Sequence, residues 1–151
     1  MIRLSRLTDY AIALLSHMGQ NGEGELWAAS DLAEESGLPM PTVAKVLKLL
    51  AKSSLIAAQR GAAGGYKLLR KTSDISVAEI IEAMDGPIAI TDCAESGSHE
   101  GCAIKGECPI SGGWNRVNLA LRQSLQNVSL AELGASPLLA KENKTRLATV
   151  Q

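Results

Sequence analysis

The chain has few aromatic residues and no long apolar run. Among its 151 residues there are two Trp, two Tyr and no Phe. Proteins that bind single-stranded nucleic acid stack its bases on many aromatic side chains, so a single-strand-binding protein is disfavoured. No apolar stretch approaches the ~20 residues that a membrane-spanning helix needs. The basic start leads into a stretch that contains Asp9, Ser16 and His17, which is not typical of a secretory signal.

Cysteine is scarce as well, and catalytic motifs are missing. Without a membrane span or a secretory signal we expect a cytoplasmic protein, in which thiols stay reduced. The odd number of three cysteines also argues against a disulfide framework. There is no phosphate-binding Gly-Lys-Ser loop, no His-Glu-x-x-His motif and no convincing Ser/His/Asp set, so we expect no enzyme. The net charge of −1 excludes a wholly basic protein, and 46% hydrophobic residues predict one domain with a core.

Acidic residues are absent between Gly37 and Ser73, although the whole chain is nearly neutral. The seven basic residues of this segment are Lys45, Lys48, Lys52, Arg60, Lys67, Arg70 and Lys71. The next segment, residues 74–107, contains eight acidic residues and one lysine. Such a basic block indicates a surface that binds a polyanion, and the alternative is a solvated surface that lacks acids.

Three helices are predicted in the first part of the chain. Apolar spacing predicts a helix over Thr8–Gln20 and a second over Asp31–Ser36, which Ser30 caps and Gly37 ends. A third helix begins near Pro41. Its inner stripe is Val43, Val46, Leu47 and Leu50. Its outer face is basic, which is typical of a helix-turn-helix, and the residues expected to contact DNA are Met40, Pro41, Thr42, Lys45 and Lys48.

A hairpin follows the third helix. Strands over Leu55–Gln59 and Tyr66–Leu69 flank the glycine-rich turn Arg60–Gly65. A hairpin in this position is a wing, and Arg60 at its tip suits a minor groove, where the negative potential favours arginine. The alternative is a flexible surface hairpin. The predicted fold is mainly α with a small β-wing: a winged helix-turn-helix domain plus a long dimerisation helix.

The remaining elements are a capped helix, a loop and a long helix. The capping box at Ser76 opens a helix over Val77–Asp85. A long helix is predicted over Trp114–Val128, and Leu119 adds an apolar edge to its seam. The seam residues are Trp114, Val117, Leu121, Leu125 and Val128. The seam favours a dimer over packing onto its own domain.

Four segments result from these predictions. Residues 1–87 form the winged helix-turn-helix DNA-binding domain, and residues 88–113 form a cysteine-containing loop that binds a cluster. Residues 114–133 form the dimerisation helix with a final turn, and residues 134–151 form a mobile tail.

All three cysteines lie in the loop. Eight residues separate Cys93 from Cys102, and five separate Cys102 from Cys108. Three thiols on a glycine-rich loop, the last followed by proline, favour an iron–sulfur site. Zinc sites usually have paired Cys-x2–4-Cys knuckles, which are missing, but a zinc site and a redox thiol sensor both stay open. His99 is the local candidate for a fourth ligand.

Four motifs of the chain resemble, in the same order, the bacterial iron–sulfur winged-helix regulators. These are residues 1–11, the turn and helix at 38–47, the wing at 60–66 and the three-cysteine loop. That family includes IscR-type, NsrR-type and RirA-type proteins, and the resemblance covers residues 1–133. The sequence from Cys102 to Trp114 and around the final turn is most similar to the subgroup that regulates the suf cluster-assembly operon.

The resemblance implies a homodimer on double-stranded DNA, with the third helix in the major groove and the wing in the minor groove. It also implies an iron–sulfur cluster on Cys93, Cys102 and Cys108. The ligating histidine of IscR-type proteins corresponds to Ser111 here, whereas the aspartate that NsrR-type proteins donate from the other subunit corresponds to Asp9. We therefore expect Asp9 as fourth ligand, with His99 as the alternative. The cysteine spacing leaves [2Fe–2S] and [4Fe–4S] open, and we favour [4Fe–4S].

The expected function is that of a dimeric transcriptional repressor whose operator affinity is set by the cluster. Its targets are expected to be genes of iron–sulfur cluster assembly or iron homeostasis. One alternative is a nitric-oxide or redox-sensing repressor of the same family. Another is a winged-helix interaction module stapled by zinc, without a role on DNA.

Overall fold

The structure is a computed structural model that describes residues 3–20, 22, 24–61, 63–91, 104, 107–110 and 112–135. Its elements are α1 (Arg6–Gln20), α2 (Ala29–Ser36), α3 (Met40–Lys52), β1 (Ile56–Gln59), β2 (Gly65–Leu68), α4 (Val77–Asp85), α5 (Gly113–Gln126) and α6 (Leu130–Gly134). A single 3₁₀ turn covers Thr72–Asp74. The predicted class, mainly α with a small β-wing, is confirmed. Within the described ranges, no helix combines the length and the apolar character that crossing a membrane would require.

The core forms around the apolar stripe of α3. The four residues predicted for this stripe, Val43, Val46, Leu47 and Leu50, are all completely buried. They belong to one cluster with Leu14 and Leu15 of α1, Leu32 of α2 and Ile80 of α4. Burial of each such side chain contributes about 1.5–3 kcal/mol, so this cluster fixes the rotation of α3 about its own axis.

The second helix begins earlier than the sequence predicts. Its N-cap is Ala28, whose carbonyl accepts the Leu32 N–H at 3.2 Å and whose side chain makes no capping bond. Ser30 lies inside the first turn and donates to the Asp31 carboxylate at 3.1 Å. The predicted Ser30 cap is therefore wrong, because the helix has already begun before Ser30. The predicted end is confirmed, since Gly37 adopts φ 68°.

The wing is an antiparallel hairpin whose base is fixed by a third segment. Ile56 pairs with Leu68, and Gln59 pairs with Gly65. Trp27 pairs with Tyr66 through two backbone hydrogen bonds of 2.8 Å. A Cβ atom at Gly65 would lie 2.5 Å from the Trp27 carbonyl oxygen, so glycine is needed where this segment approaches.

After α5 the chain returns to the core of the first domain. Helix α5 ends at Gln126, so Val128, which was predicted as its last residue, lies beyond it. The Val128 carbonyl accepts the Val77 N–H at 2.9 Å, and the Leu130 N–H donates to the Ile75 carbonyl at 2.8 Å. Leu130 is completely buried. The capping box predicted at Ser76 is present, and so is a second one at Ser129. The division into four segments stays a prediction.

A polar contact joins the start of α1 to the end of α4, and we call Ser5, Thr8 and Asp85 the Asp85 anchor. The Asp85 carboxylate accepts the Thr8 hydroxyl at 2.7 Å and the Ser5 N–H at 3.2 Å. Thr8 is completely buried. Partial burial alone would raise the pKa of Asp85, but the hydrogen bonds from Ser5 and Thr8 outweigh it and lower the pKa.

Replacement of Asp85 by asparagine is expected to destabilise the protein in a pH-dependent way. A lowered pKa contributes stability above the unfolded value of about 3.9, and this stability is lost as the pH falls through the folded value. At neutral pH we expect D85N to lose about 1 kcal/mol of unfolding free energy, since solvent screens the partly exposed carboxylate. The difference should shrink as the medium is acidified.

Urea denaturation of both proteins over a series of pH values measures this effect. The exposed Glu34 offers the control E34Q, which removes one carboxylate from the surface of α2. A D85N deficit that stays constant at every pH would show that the carboxylate charge does not stabilise the junction.

Candidate nucleic-acid interface and metal centre

The exposed side of α3 lies opposite its buried stripe. Met40 is 47% exposed. The other exposed residues of the helix are Pro41, Ala44, Lys45, Lys48 and Lys52. Thr42, predicted to contact DNA, is partly buried at the edge of this face. Five of the predicted contact residues therefore share the outer side of α3, or lie on its margin, and together they carry positive charge only.

Local sequence determines where α3 begins. Pro39 is the N-cap, and its carbonyl accepts the backbone N–H groups of Thr42 and Val43 at 2.9 and 3.1 Å. Pro41 occupies the first turn, where the missing N–H of proline costs nothing. The α3 N-terminus follows the tight turn at Gly37, as in a helix-turn-helix, in which the second helix enters the major groove.

The wing presents the predicted Arg60 beside the end of β1. Arg60 and Gln59 are exposed, and Ala62 in the turn lies outside the described residues. Backbone pairing of β2 with Trp27 holds the base of the hairpin. The wing thus has a fixed base and a cationic side chain near its tip, which is the arrangement that a minor-groove contact needs.

Arg70, one of the basic residues of the acid-free segment, is engaged within the chain. Arg70 forms an ion pair with Glu79 at 2.6 Å and donates to the Asp74 carbonyl at 3.0 Å. Partial burial alone would raise the pKa of Glu79, but hydrogen bonds from Ser76 and Arg70 outweigh it and lower the pKa. The sequence count of seven basic residues therefore overstates the charge that is available to a polyanion.

The predicted metal ligands are described only in part. Cys108 is a partly exposed free thiol, and Asp9 is exposed in the first turn of α1. Cys93, Cys102 and His99, as well as Ser111, lie outside the described residues. Within the described part of the chain, no three His, Cys, Asp or Glu side chains are grouped so that they could hold a metal ion. The ligand set stays a prediction.

Helix α5 contacts both α4 and the beginning of the cysteine-containing segment. The Asn118 amide group donates to the Ile88 carbonyl at 2.9 Å. The side-chain oxygen of Asn118 (Oδ1) is buried and has no hydrogen-bond partner among the described residues. Arg122 forms an ion pair with Glu82 of α4 at 2.9 Å. Helix α5 is therefore tied both to α4 and to the residues from which the segment departs.

Sequence reasoning missed these contacts and the Asp85 anchor. A signal for Asp85 was available, because an acidic residue at the C-terminus of a helix opposes the helix dipole and needs a compensating donor. No comparable signal marks Asn118, since nothing in the local sequence indicates that its amide meets a backbone carbonyl 30 residues away.

Comparison with known proteins assigns residues 4–136 to one protein family. The model of the Rrf2 family, described as "Iron-dependent Transcriptional regulator", matches residues 4–136. The HTH-type transcriptional regulator IscR of Escherichia coli is 29% identical over 132 residues, which are 87% of this chain and 80% of the relative.

Two solved structures share the fold. CymR (YrzC), the global cysteine regulator of B. subtilis, matches with a TM-score of 0.69 at 21% identity and covers 89% of this chain and 98% of its own. IscR of T. potens matches with a TM-score of 0.60 at 23% identity over 87% of this chain and 85% of its own. At these identities the likeness supports the winged-helix fold alone. These relatives are transcriptional regulators and not enzymes, as the sequence predicts.

Removal of Lys48 is expected to weaken DNA binding and its dependence on salt. A lysine that neutralises one phosphate contributes about 0.9 to the slope of log affinity against log salt concentration. We expect K48A to lower that slope by about this amount. Fluorescence anisotropy of a labelled duplex over a series of salt concentrations measures the slope.

The matched control removes a charge outside the acid-free segment. Arg116 is exposed on α5, so R116A loses the same charge at a distance from α3 in sequence. If K48A and wild type share one slope, Lys48 does not contact a phosphate.

Proposed function

The chain belongs to the Rrf2 family of transcriptional regulators, and from this premise we propose that it is a dimeric repressor whose operator affinity is controlled by an iron–sulfur cluster. The observation that carries the proposal is the exposed face of α3, which is cationic, lacks acids and stands beside a wing. The proposed targets are genes of iron–sulfur cluster assembly or iron homeostasis. The proposed location is the cytoplasm, where a bacterial operator is found.

In the proposed complex, α3 lies in the major groove of double-stranded DNA. Lys45 and Lys48 then reach phosphates or base edges, and Arg60 of the wing enters the minor groove. Because the buried stripe fixes the rotation of α3, these side chains point away from the core without rearrangement. Phosphate contacts supply affinity and position the helix, whereas base contacts supply specificity.

The proposed dimer forms through α5. No residue of this helix is buried in the single chain, unlike α1, α3 and α4. Val117 is 48% exposed, whereas Leu119, which is 56% exposed, is two positions away and lies on the opposite side of the helix. Val117 and the partly buried Leu121 lie one turn apart on one side of α5, and we expect this apolar side to be buried against a second copy. Two-fold symmetry would place two α3 helices on successive half-sites, about 34 Å apart.

The donor set of the proposed cluster site suits iron and sulfide. Three thiolates from Cys93, Cys102 and Cys108 are the soft ligands that such clusters prefer, and Cys108 is free and partly exposed. The Asp9 carboxylate is exposed, so it can serve a site of the partner subunit. When bound, the cluster supplies iron that responds to oxygen, nitric oxide or iron supply.

The protein's own contacts offer a path from this site to DNA. The Asp85 anchor holds the helix start that carries Asp9, and Asn118 holds the start of the cysteine-containing segment against α5. A change in the restraint on that segment therefore acts on α1, α4 and α5, which set how the two subunits meet. A difference of ~1.4 kcal/mol between the two states would change operator affinity tenfold.

Anaerobic purification with visible spectroscopy and iron and sulfide analysis tests the cluster. We expect a coloured protein with iron and sulfide, loss of colour in C108S, and an altered spectrum in D9A, because an oxygen ligand is replaced. The control D31A removes an exposed carboxylate from α2. An unaltered D9A with an altered H99A would assign the fourth ligand to His99.

Two other results would contradict the proposal. A colourless protein with zinc would favour the zinc-stapled interaction module. A metal-free protein that binds DNA but loses its response to oxidants in C108S would favour the redox-sensing thiol.

Sedimentation equilibrium tests the dimer. Because Val117 is exposed in the single chain, V117E should fold, but its carboxylate would be buried between two copies of α5. We expect V117E to raise the dimer dissociation constant at least tenfold, which corresponds to ~1.4 kcal/mol. The control Q123E adds the same charge at an exposed polar position of α5. A V117E protein with the dissociation constant of wild type would exclude this side of α5 as the interface.

A further inference from the structure

The first two turns of α3 present apolar side chains outward. Met40 is 47% exposed, and Pro41 and Ala44 are exposed as well. Met40 and Ala44 are four positions apart, so they lie one above the other on the helix surface. Nothing in the described part of the chain covers this pair, and it is the apolar portion of a face that otherwise carries lysines.

The same turns carry few side chains that can read bases by hydrogen bonds. Helix α3 contains no Arg, Asn, Gln, Asp or Glu. Guanine is commonly read by Arg or Lys and adenine by Asn or Gln, through paired hydrogen bonds in the major groove. Only Lys45 and the partly buried Thr42 offer a polar group between Met40 and Leu47.

The charge around the apolar pair indicates its occupant. Lys48 lies one turn beyond Ala44 along the same side of the helix, and the segment from Gly37 to Ser73 has no acidic residue. An apolar protein surface would leave these cations without partners, whereas DNA offers phosphates to them. The apolar group that DNA presents in the major groove is the C5-methyl of thymine.

We propose that Met40 and Ala44 read thymine through contact with its C5-methyl group. The inference rests on the proposed docking of α3 in the major groove, where the N-terminal residues of a recognition helix contact base edges. Each operator half-site then carries thymine beneath the start of α3. Discrimination at these positions comes from burial of a methyl group, and the lysines add affinity that does not depend on sequence.

Replacement of thymine by deoxyuridine tests the contact, since it removes the methyl group and leaves every hydrogen-bonding group in place. An operator is first selected from random duplexes with the full-length protein, with and without reconstituted cluster. Each thymine of that operator is then replaced singly. We expect about a fourfold loss of affinity at the one or two positions per half-site that α3 contacts, and no change elsewhere.

Protein variants assign the effect to Met40. M40L keeps an apolar side chain and should retain the difference between thymine and uracil. M40Q has nearly the same size but a polar end, and should lose the difference at the position that Met40 contacts. K48A should weaken binding to the thymine and uracil duplexes equally. Thermal melting of each variant shows that the fold is kept.

Three results would contradict the thymine contact or the proposed function, and they distinguish between the two. Equal affinity for thymine and uracil at every position would overturn the methyl contact while DNA binding stands. If M40Q and A44S both keep the loss of affinity on replacement of thymine by deoxyuridine, other residues contact the methyl group. The assignment to Met40 and Ala44 would then be wrong. If the protein selects no operator either with or without reconstituted cluster, the proposed function itself is wrong.

Discussion

Burial of one side of α3 is the constraint on which the arrangement of the molecule depends. Val43, Val46, Leu47 and Leu50 are completely buried, and successive residues of a helix are about 100° apart. Rotation of α3 by a single residue would bring lysines toward the core and leucines into solvent. The same apolar cluster receives α1, α2 and α4. Fixing this one helix therefore fixes both its outward cations and the helix that carries Asp9.

A second set of contacts, polar and partly exposed, joins the elements around that core. Asp85 joins α4 to α1, Arg122 joins α5 to α4, and Asn118 joins α5 to Ile88. Each is worth about 1 kcal/mol or less, because solvent competes for exposed charges and hydrogen bonds. The core contributes several times more. Helix α3 is therefore held firmly by its buried side chains. The junction of α1, α4 and α5, where the cysteine-containing segment begins, is more easily altered.

Most of what could be predicted from the sequence depends on neighbouring residues. The buried stripe of α3, the bounds Val77–Asp85 and the capping box at Ser76 follow from periodicity and from side chains a few positions apart. The contacts that were missed join distant positions: Thr8 and Asp85 are 77 residues apart, and Asn118 and Ile88 are 30 apart. The Ser30 cap failed because the helix begins two residues earlier, at N-cap Ala28, which places Ser30 inside the first turn. The cysteines could be listed as candidate ligands, but no spacing rule identifies a fourth ligand.

This difference in stability between core and junction limits how a signal can act on DNA binding in the proposed regulator. A change of one or two kcal/mol at the cysteine-containing segment cannot unseat α3, whose four buried side chains together contribute more than that. It can shift the junction of α1, α4 and α5, because the contacts there are individually weak. In the proposed dimer that junction would set the distance between the two α3 helices, and half-sites accept only a narrow range of spacing. Regulation would therefore change how well the two α3 helices match the spacing of one operator. The base contacts within each half-site would be the same with and without the cluster.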